Sequence, residues 1–236
     1  MEVVRACTAV ILVLGITAAV ASTANGVAFQ VRNDAPATAG GRRFEAEVST
    51  QYTRSTMAEA SENSWRLYRQ GAAADRKPID AVTLVVVEQL GGSHVASTRN
   101  NQIDLSAAFM ADYRGNLKFE VAGVIFQEVA RVWMNQAEGR GNRALVDGIA
   151  ELARLRAGYA PNNWAKAGDG SSWNKGQGVT ARFLDFLEVE EQHPGLVAGI
   201  NSAMQEPVRD DEDLLRQITG RTTQELWAEY KAAYAA

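Results

Sequence analysis

The apolar positions of this chain begin with strand-like runs and settle into helical spacing. Residues 27–31 read as a short strand, and 33–41, rich in Ala, Pro and Gly, as a loop. Between 43 and 69 the residues Phe44, Val48, Met57, Ala60, Trp65 and Tyr68 recur at broadly helical intervals on a polar background, which predicts a helix. The run 82–90 (VTLVVVEQL) is β-branched and nearly continuous in its apolar character, as expected of a buried strand. Two more strands are predicted over 93–98 and 102–110, joined by the polar turn Arg99-Asn100-Asn101.

After Gly115 the pattern is helical. Asn116 is a good N-cap for a helix over 117–136, with Phe119, Val124, Val132 and Trp133 forming its apolar stripe. A Gly-rich loop at 139–142 separates this helix from another over 144–157, stopped by Gly158 and Pro161. Residues 160–178 read as a loop carrying Trp164 and Trp173, and helices follow at 179–191, 196–204, 211–219 and 222–235. The last opens on Thr222 and Glu225, spaced as a capping box. There is no repeat and no interdomain linker. A mixed N-terminal sheet followed by a mainly helical half predicts one α+β domain, a size the 236 residues suit.

Composition narrows the partners. Hydrophobic residues make up 46% and charged residues 22%, a globular balance. The net charge of −4 argues against nucleic acid or an anionic membrane as a main partner. At the N-terminus, Arg5 precedes an apolar stretch over 7–20, and Ala19-Val20-Ala21 and Ser22-Thr23-Ala24 offer small-residue cleavage sites. Residues 1–24 are therefore expected to be a signal peptide and 25–236 the exported domain, with a signal anchor as the rival reading and no membrane contact after cleavage. Cleavage would remove Cys7, the only cysteine, so no disulfide is expected.

The chemistry concentrates at Gln127-Glu128-Val129-Ala130-Arg131. This is the frame of a His-Glu-x-x-His helix, in which two imidazoles one turn apart hold zinc and the glutamate activates its water. Gln127 and Arg131 stand in the ligand positions, and only Glu128 remains, as a vestigial general base. A guanidinium stays protonated and repels a dication. On the next helix Asp147 and Glu151 lie one turn apart, where a peptidase of this kind commonly supplies a further zinc-binding carboxylate. Gly148 is expected to let the two helices approach, so that Asp147 faces Arg131 and the arginine neutralises both carboxylates. His94 and His193 read as solvated or capping residues with no metal spacing to Asp147 or Glu151, and Glu188, Glu190 and Glu191 as a solvated face.

The stretch from Glu128 to Pro161 (EVARVW…LVDGIAELARLRAGYAP) closely resembles the plant basic secretory proteins, a pathogenesis-related group of zinc peptidases. The likeness continues in Val31-Arg32-Asn33-Asp34, Asn101-Gln102-Ile103, Trp173, Gly178-Val179-Thr180-Ala181-Arg182-Phe183-Leu184-Asp185 and Leu226-Trp227. It runs over about 27–234. This resemblance implies a zincin-like fold and a zinc cofactor, with the metal histidines falling on Gln127 and Arg131, the catalytic glutamate on Glu128, and the carboxylates of the next helix on Asp147 and Glu151. Where the family usually has Ile-His, this chain has Ile103-Asp104, and it is acidic where members are often basic.

The expectation is a secreted, apoplastic defence-related protein that has lost its zinc, holds no other cofactor and acts by binding a peptide, a cell-wall fragment or a pathogen protein. Two alternatives stand beside it. One is an active metallopeptidase with an oxygen-only site of Glu128, Asp147 and Glu151 for calcium or manganese. The other is a cell-wall carbohydrate binder built on Trp164 and Trp173. Tyr113 and Tyr159 are further candidates for lining the cleft, with packing as the competing role for all four aromatic residues.

Overall fold

The structure is a computed structural model that describes residues 22–24, 26–92, 94–135, 143–176, 178–189, 193–206 and 211–235. The expected signal segment up to residue 21 and the Gly-rich loop lie outside the described residues. Five strands, β1 (Ser22–Ala24), β2 (Val27–Asn33), β3 (Ala81–Val87), β4 (Ala96–Arg99) and β5 (Gln102–Ser106), form one sheet in the spatial order β1-β2-β3-β5-β4. The inner pairs β2–β3 and β3–β5 are parallel, while β1 and β4 are antiparallel edges. The apolar run of 82–90 thus becomes the central strand, with Val82, Leu84, Val85 and Val86 all buried. Continuous hydrophobicity is what a parallel strand covered on both faces requires.

The connection from β2 to β3 is helical. It comprises α1 (Ala39–Arg43), a π-helical segment (Phe44–Val48) and α2 (Thr50–Leu67), where the sequence pattern predicted one uninterrupted helix. The break falls at Ser49, whose φ of 75° cannot continue a right-handed helix and whose side chain caps α2 at the Tyr52 N–H. The strand expected over 102–110 ends early for a similar reason. Ser106 accepts from the Phe109 N–H and so starts α3 (Ala107–Asp112).

Helix α4 (Leu117–Trp133) is capped by Asn116, as its sequence predicts, through the Phe119 N–H. It is buried on nearly all sides, with α2 and α5 (Arg143–Arg156) packed on it. Trp133 is fully buried, makes an edge-on contact with Trp65 at 5.0 Å and donates from Nε1 to Ser61 Oγ at 3.0 Å. Truncating a ring held this way costs about 3–5 kcal/mol. The helix ends at Trp133, three residues short of the expected 136, where Met134 turns extended and Lys77 Nζ donates to the Val132 and Met134 carbonyls. Burial pulls the Lys77 ammonium down to about 8.

The remaining helices are α6 (Val179–Val189), α7 (Leu196–Ala203), α8 (Asp211–Thr219) and α9 (Thr223–Ala233), the last with the Thr222–Glu225 capping box in place. Glu188 departs from the solvated role read for it. It pairs with Arg156 at 2.7 Å and accepts from the Gly195 and Val197 N–H groups, capping α7, while Glu190 and Glu191 lie outside the described residues. One hydrophobic cluster runs from Val27 to Tyr230. Among the described residues no helix is long and apolar enough to cross a membrane.

Candidate functional site

β4 lies at the open edge of the sheet and runs beside α4. Ser106 N–H donates to the Val95 carbonyl, and the register pairs Ala96 with Leu105. In an antiparallel ladder bonded and non-bonded pairs alternate, so the N–H and C=O groups of Ala96 and Thr98 point away from β5. Between this strand, α4 and α5 lies a cavity of about 440 Å³ whose lining includes Thr98, Gln127, Glu128, Arg131, Asp147 and Glu151. The structure therefore assembles the five polar residues read from the motif and the following helix in one cleft.

At its centre Arg131 bridges two helices. Its Nη1 donates to Asp147 Oδ1 at 2.8 Å, and its Nε lies 3.4 Å from Glu128 Oε1. Glu128 is only 7% exposed, and its second oxygen accepts from Thr98 Oγ1 at 2.8 Å. Burial alone would pull the Arg131 guanidinium down, but the adjacent Glu128 and Asp147 outweigh it and hold the group above its ordinary value. The cleft thus carries a permanent cation where a metal ion would sit. Arg143, largely exposed, approaches Asp147 Oδ2 at 3.4 Å.

These residues do not fit the zinc that a His-Glu-x-x-His frame implies. One ligand position offers a neutral amide and the other a cation. The oxygen-only alternative fits no better. Arg131 separates Glu128 from Asp147, and Glu151 Oε2 accepts from the Gly178 N–H at 3.0 Å, tied to the loop before α6. Among the described residues no three His, Cys, Asp or Glu side chains are grouped to hold a metal.

Gly148 has a different job from the one expected. A Cβ there would stand 2.3 Å from Thr180 Cγ2, so the glycine lets α5 approach α6, not α4. The four aromatic candidates are likewise absent from the cleft lining. Tyr113 lines a neighbouring cavity of about 480 Å³ with Phe109, and reaches Glu120 Oε2 at 3.4 Å. Tyr159 packs between Phe119 and Phe126, at 5.2 and 5.3 Å. Trp164 lies beneath the Arg154 guanidinium at 5.3 Å, and Trp173 is buried against Phe183 at 6.3 Å. Large rings in a polar loop gain most by covering the body of the domain, the packing role that competes with ligand contact for both tryptophans.

Sequence reasoning missed three contributors. His94 is exposed, as a solvated residue should be, and it also lines both the cleft and its neighbour. Arg154 and Glu120 form a buried ion pair at 2.9 Å along the same cleft, and Arg154 Nε also donates to the Tyr159 carbonyl at 2.9 Å. Their separation of 34 residues carries no local signal.

Set against known families, the chain matches the BSP family model, described as a peptidase of plants and bacteria, over residues 24–230. The match agrees with the likeness to basic secretory proteins drawn from its motifs. The same comparison made against curated proteins and against solved structures finds no significant match.

Proposed function

The chain belongs to this family of peptidases of plants and bacteria, and from that premise we propose that it is an exported member that binds extended peptides without cleaving them. The observation that carries the reading is the Arg131 bridge. A guanidinium held by Glu128 and Asp147 takes the place of the cation that would activate water, and Glu128 then has no polarised water from which to remove a proton. Zinc is lost and no other cofactor replaces it. The scaffold is zincin-like, with the helix that carries the motif lying beside an edge strand.

The open edge of β4 supports peptide as the ligand class. Its outward N–H and C=O groups at Ala96 and Thr98 can add a strand by main-chain hydrogen bonds, with the cleft receiving alternate side chains. The N-terminal apolar segment acts as the export signal, cleaved after Ala21 so that β1 stays in the sheet, and the protein works in the apoplast as part of plant defence against a peptide, wall-derived or pathogen-derived ligand.

Isothermal titration of the purified protein with zinc tests the loss of the metal, and labelled unstructured casein peptides test binding. The expected result is no saturable zinc uptake at about 1 μM or tighter, no peptide cleavage, and peptide binding that Gln127→Trp abolishes by filling the cleft. Stoichiometric zinc in the isolated protein, or casein hydrolysis that Glu128→Gln removes, would overturn it.

A further inference from the structure

Another cavity, of about 390 Å³, shares no residue with the cleft and opens at the C-terminal end of α2. Trp65, Arg66, Arg69, Gln70 and Arg76 line it, and Glu62 is the one carboxylate in its wall. The helix ends there in a Schellman motif: Gln70 N–H donates to the Trp65 carbonyl at 2.8 Å and Arg69 N–H to the Arg66 carbonyl at 3.1 Å. The residue at the left-handed position of such a motif is normally glycine. Here it is Arg69, at φ 55°, a conformation that any Cβ makes costly.

The strain is not relieved by what Arg69 touches. Its guanidinium lies against Gly195, where a Cβ would come within 2.4 Å of Cζ. Gly195 precedes the N-terminus of α7, where its own N–H and that of Val197 already donate to the Glu188 carboxylate, which Arg156 neutralises. Arg76 is fixed more firmly, 3.8 Å above the Trp65 ring, with its donors on the Gln70 and Gly71 carbonyls at 3.1 and 3.0 Å. Among the described residues no carboxylate is ion-paired with Arg66, Arg69 or Arg76. The nearby Asp75 is used locally and accepts from the Ala72 N–H. Beneath the arginines, the buried Trp65 Nε1 and Gln70 Oε1 have no hydrogen-bond partner. In a chain of net charge −4, three guanidinium groups meet around one cavity, and one of them occupies a backbone position that favours glycine.

We propose that this pocket binds a phosphate or sulfate group, clasped by Arg66, Arg69 and Arg76. Guanidinium forks donate paired N–H groups to tetrahedral oxyanions, and Arg76, already immobilised on Trp65, loses little freedom in doing so. The group is either a free ion or an ester on a small molecule.

The test uses the mature chain at low ionic strength, titrated calorimetrically with inorganic phosphate, inorganic sulfate and a sugar monophosphate. Melting curves of wild type, Arg66→Gln and Arg69→Gly accompany the titrations. Saturable binding is expected with a Kd of about 1 mM or tighter. Tighter binding of the sugar phosphate than of phosphate assigns the ester, and equal binding assigns the free ion. Each substitution is expected to weaken binding at least about tenfold, since each removes a charge-assisted contact. Arg69→Gly is expected at the same time to raise the Tm of the unliganded protein by about 2–4 °C, because it frees the strained turn. Absence of saturable binding to any of the three ligands, or variants that bind as tightly as wild type, would sink the proposal. So would an Arg69→Gly protein that melts below wild type, since the arginine would then be kept for the fold.

Discussion

At the scale of single residues, the cleft turns on how a buried carboxylate is neutralised. Glu128 is almost wholly enclosed and has two partners, the Thr98 hydroxyl and the Arg131 guanidinium. Arg131 in turn ties it to Asp147 on the next helix. Arg131→Met keeps the length of the side chain and removes its charge, leaving Glu128 buried against a thioether. The loss expected in urea unfolding is about 2–4 kcal/mol, below the full figure for an enclosed pair because Asp147 is partly solvated. Adding Glu128→Gln to that variant should restore most of the loss, since an amide needs no counter-charge. Equal stability of the single and double variants would show that Arg131 contributes packing and little charge.

At the scale of elements, close approach between helices is set by small residues whose neighbours are remote in sequence. Gly148→Ala places a methyl group 2.3 Å from Thr180 Cγ2, and overpacking of that kind costs about 1–3 kcal/mol. Adding Thr180→Ser removes the offending methyl while keeping the hydroxyl that donates to the Trp173 and Lys175 carbonyls at 2.8 and 3.0 Å, so it should recover part of the loss. A Gly148→Ala protein that melts with wild type would mean that α5 and α6 separate freely. The sequence named the right glycine and the wrong partner, because helix spacing shows which residues share a face but not which element covers it. Local signals were legible: Asn116 and the Thr222–Glu225 box start their helices as read. Apolar runs were not decisive at Ser106, where Leu105-Ser106-Ala107-Ala108-Phe109-Met110 suits strand and helix equally until a capping hydroxyl ends one and begins the other. The end of α4 was hidden for a different reason, since its cap, Lys77, lies 55 residues before Val132.

At the scale of the whole molecule, the cleft exists because an open sheet edge, a buried helix and α5 meet at one place, and two cross-helix ion pairs hold them there. Arg131–Asp147 and Arg154–Glu120 both join α4 to α5. The two pairs bear differently on the motif: the first involves a ligand position, whereas the second leaves both untouched. Restoring the ligand set by Gln127→His, Arg131→His and Asp147→Glu should therefore exchange one source of cohesion for another. Without metal, the triple variant has Glu128 buried beside a second carboxylate and no fixed cation between them, so it should unfold more readily than wild type. Zinc binds only the folded form, and its binding should raise stability by about 2.7 kcal/mol at a hundredfold excess over Kd. Thermal unfolding with and without zinc reads this directly. The variant should show a large, concentration-dependent rise in Tm and wild type none. A triple variant that folds yet ignores zinc would show that the packing around α4 and α5 has drifted from any geometry able to hold a metal, so that the departure from the His-Glu-x-x-His frame extends beyond the ligand positions.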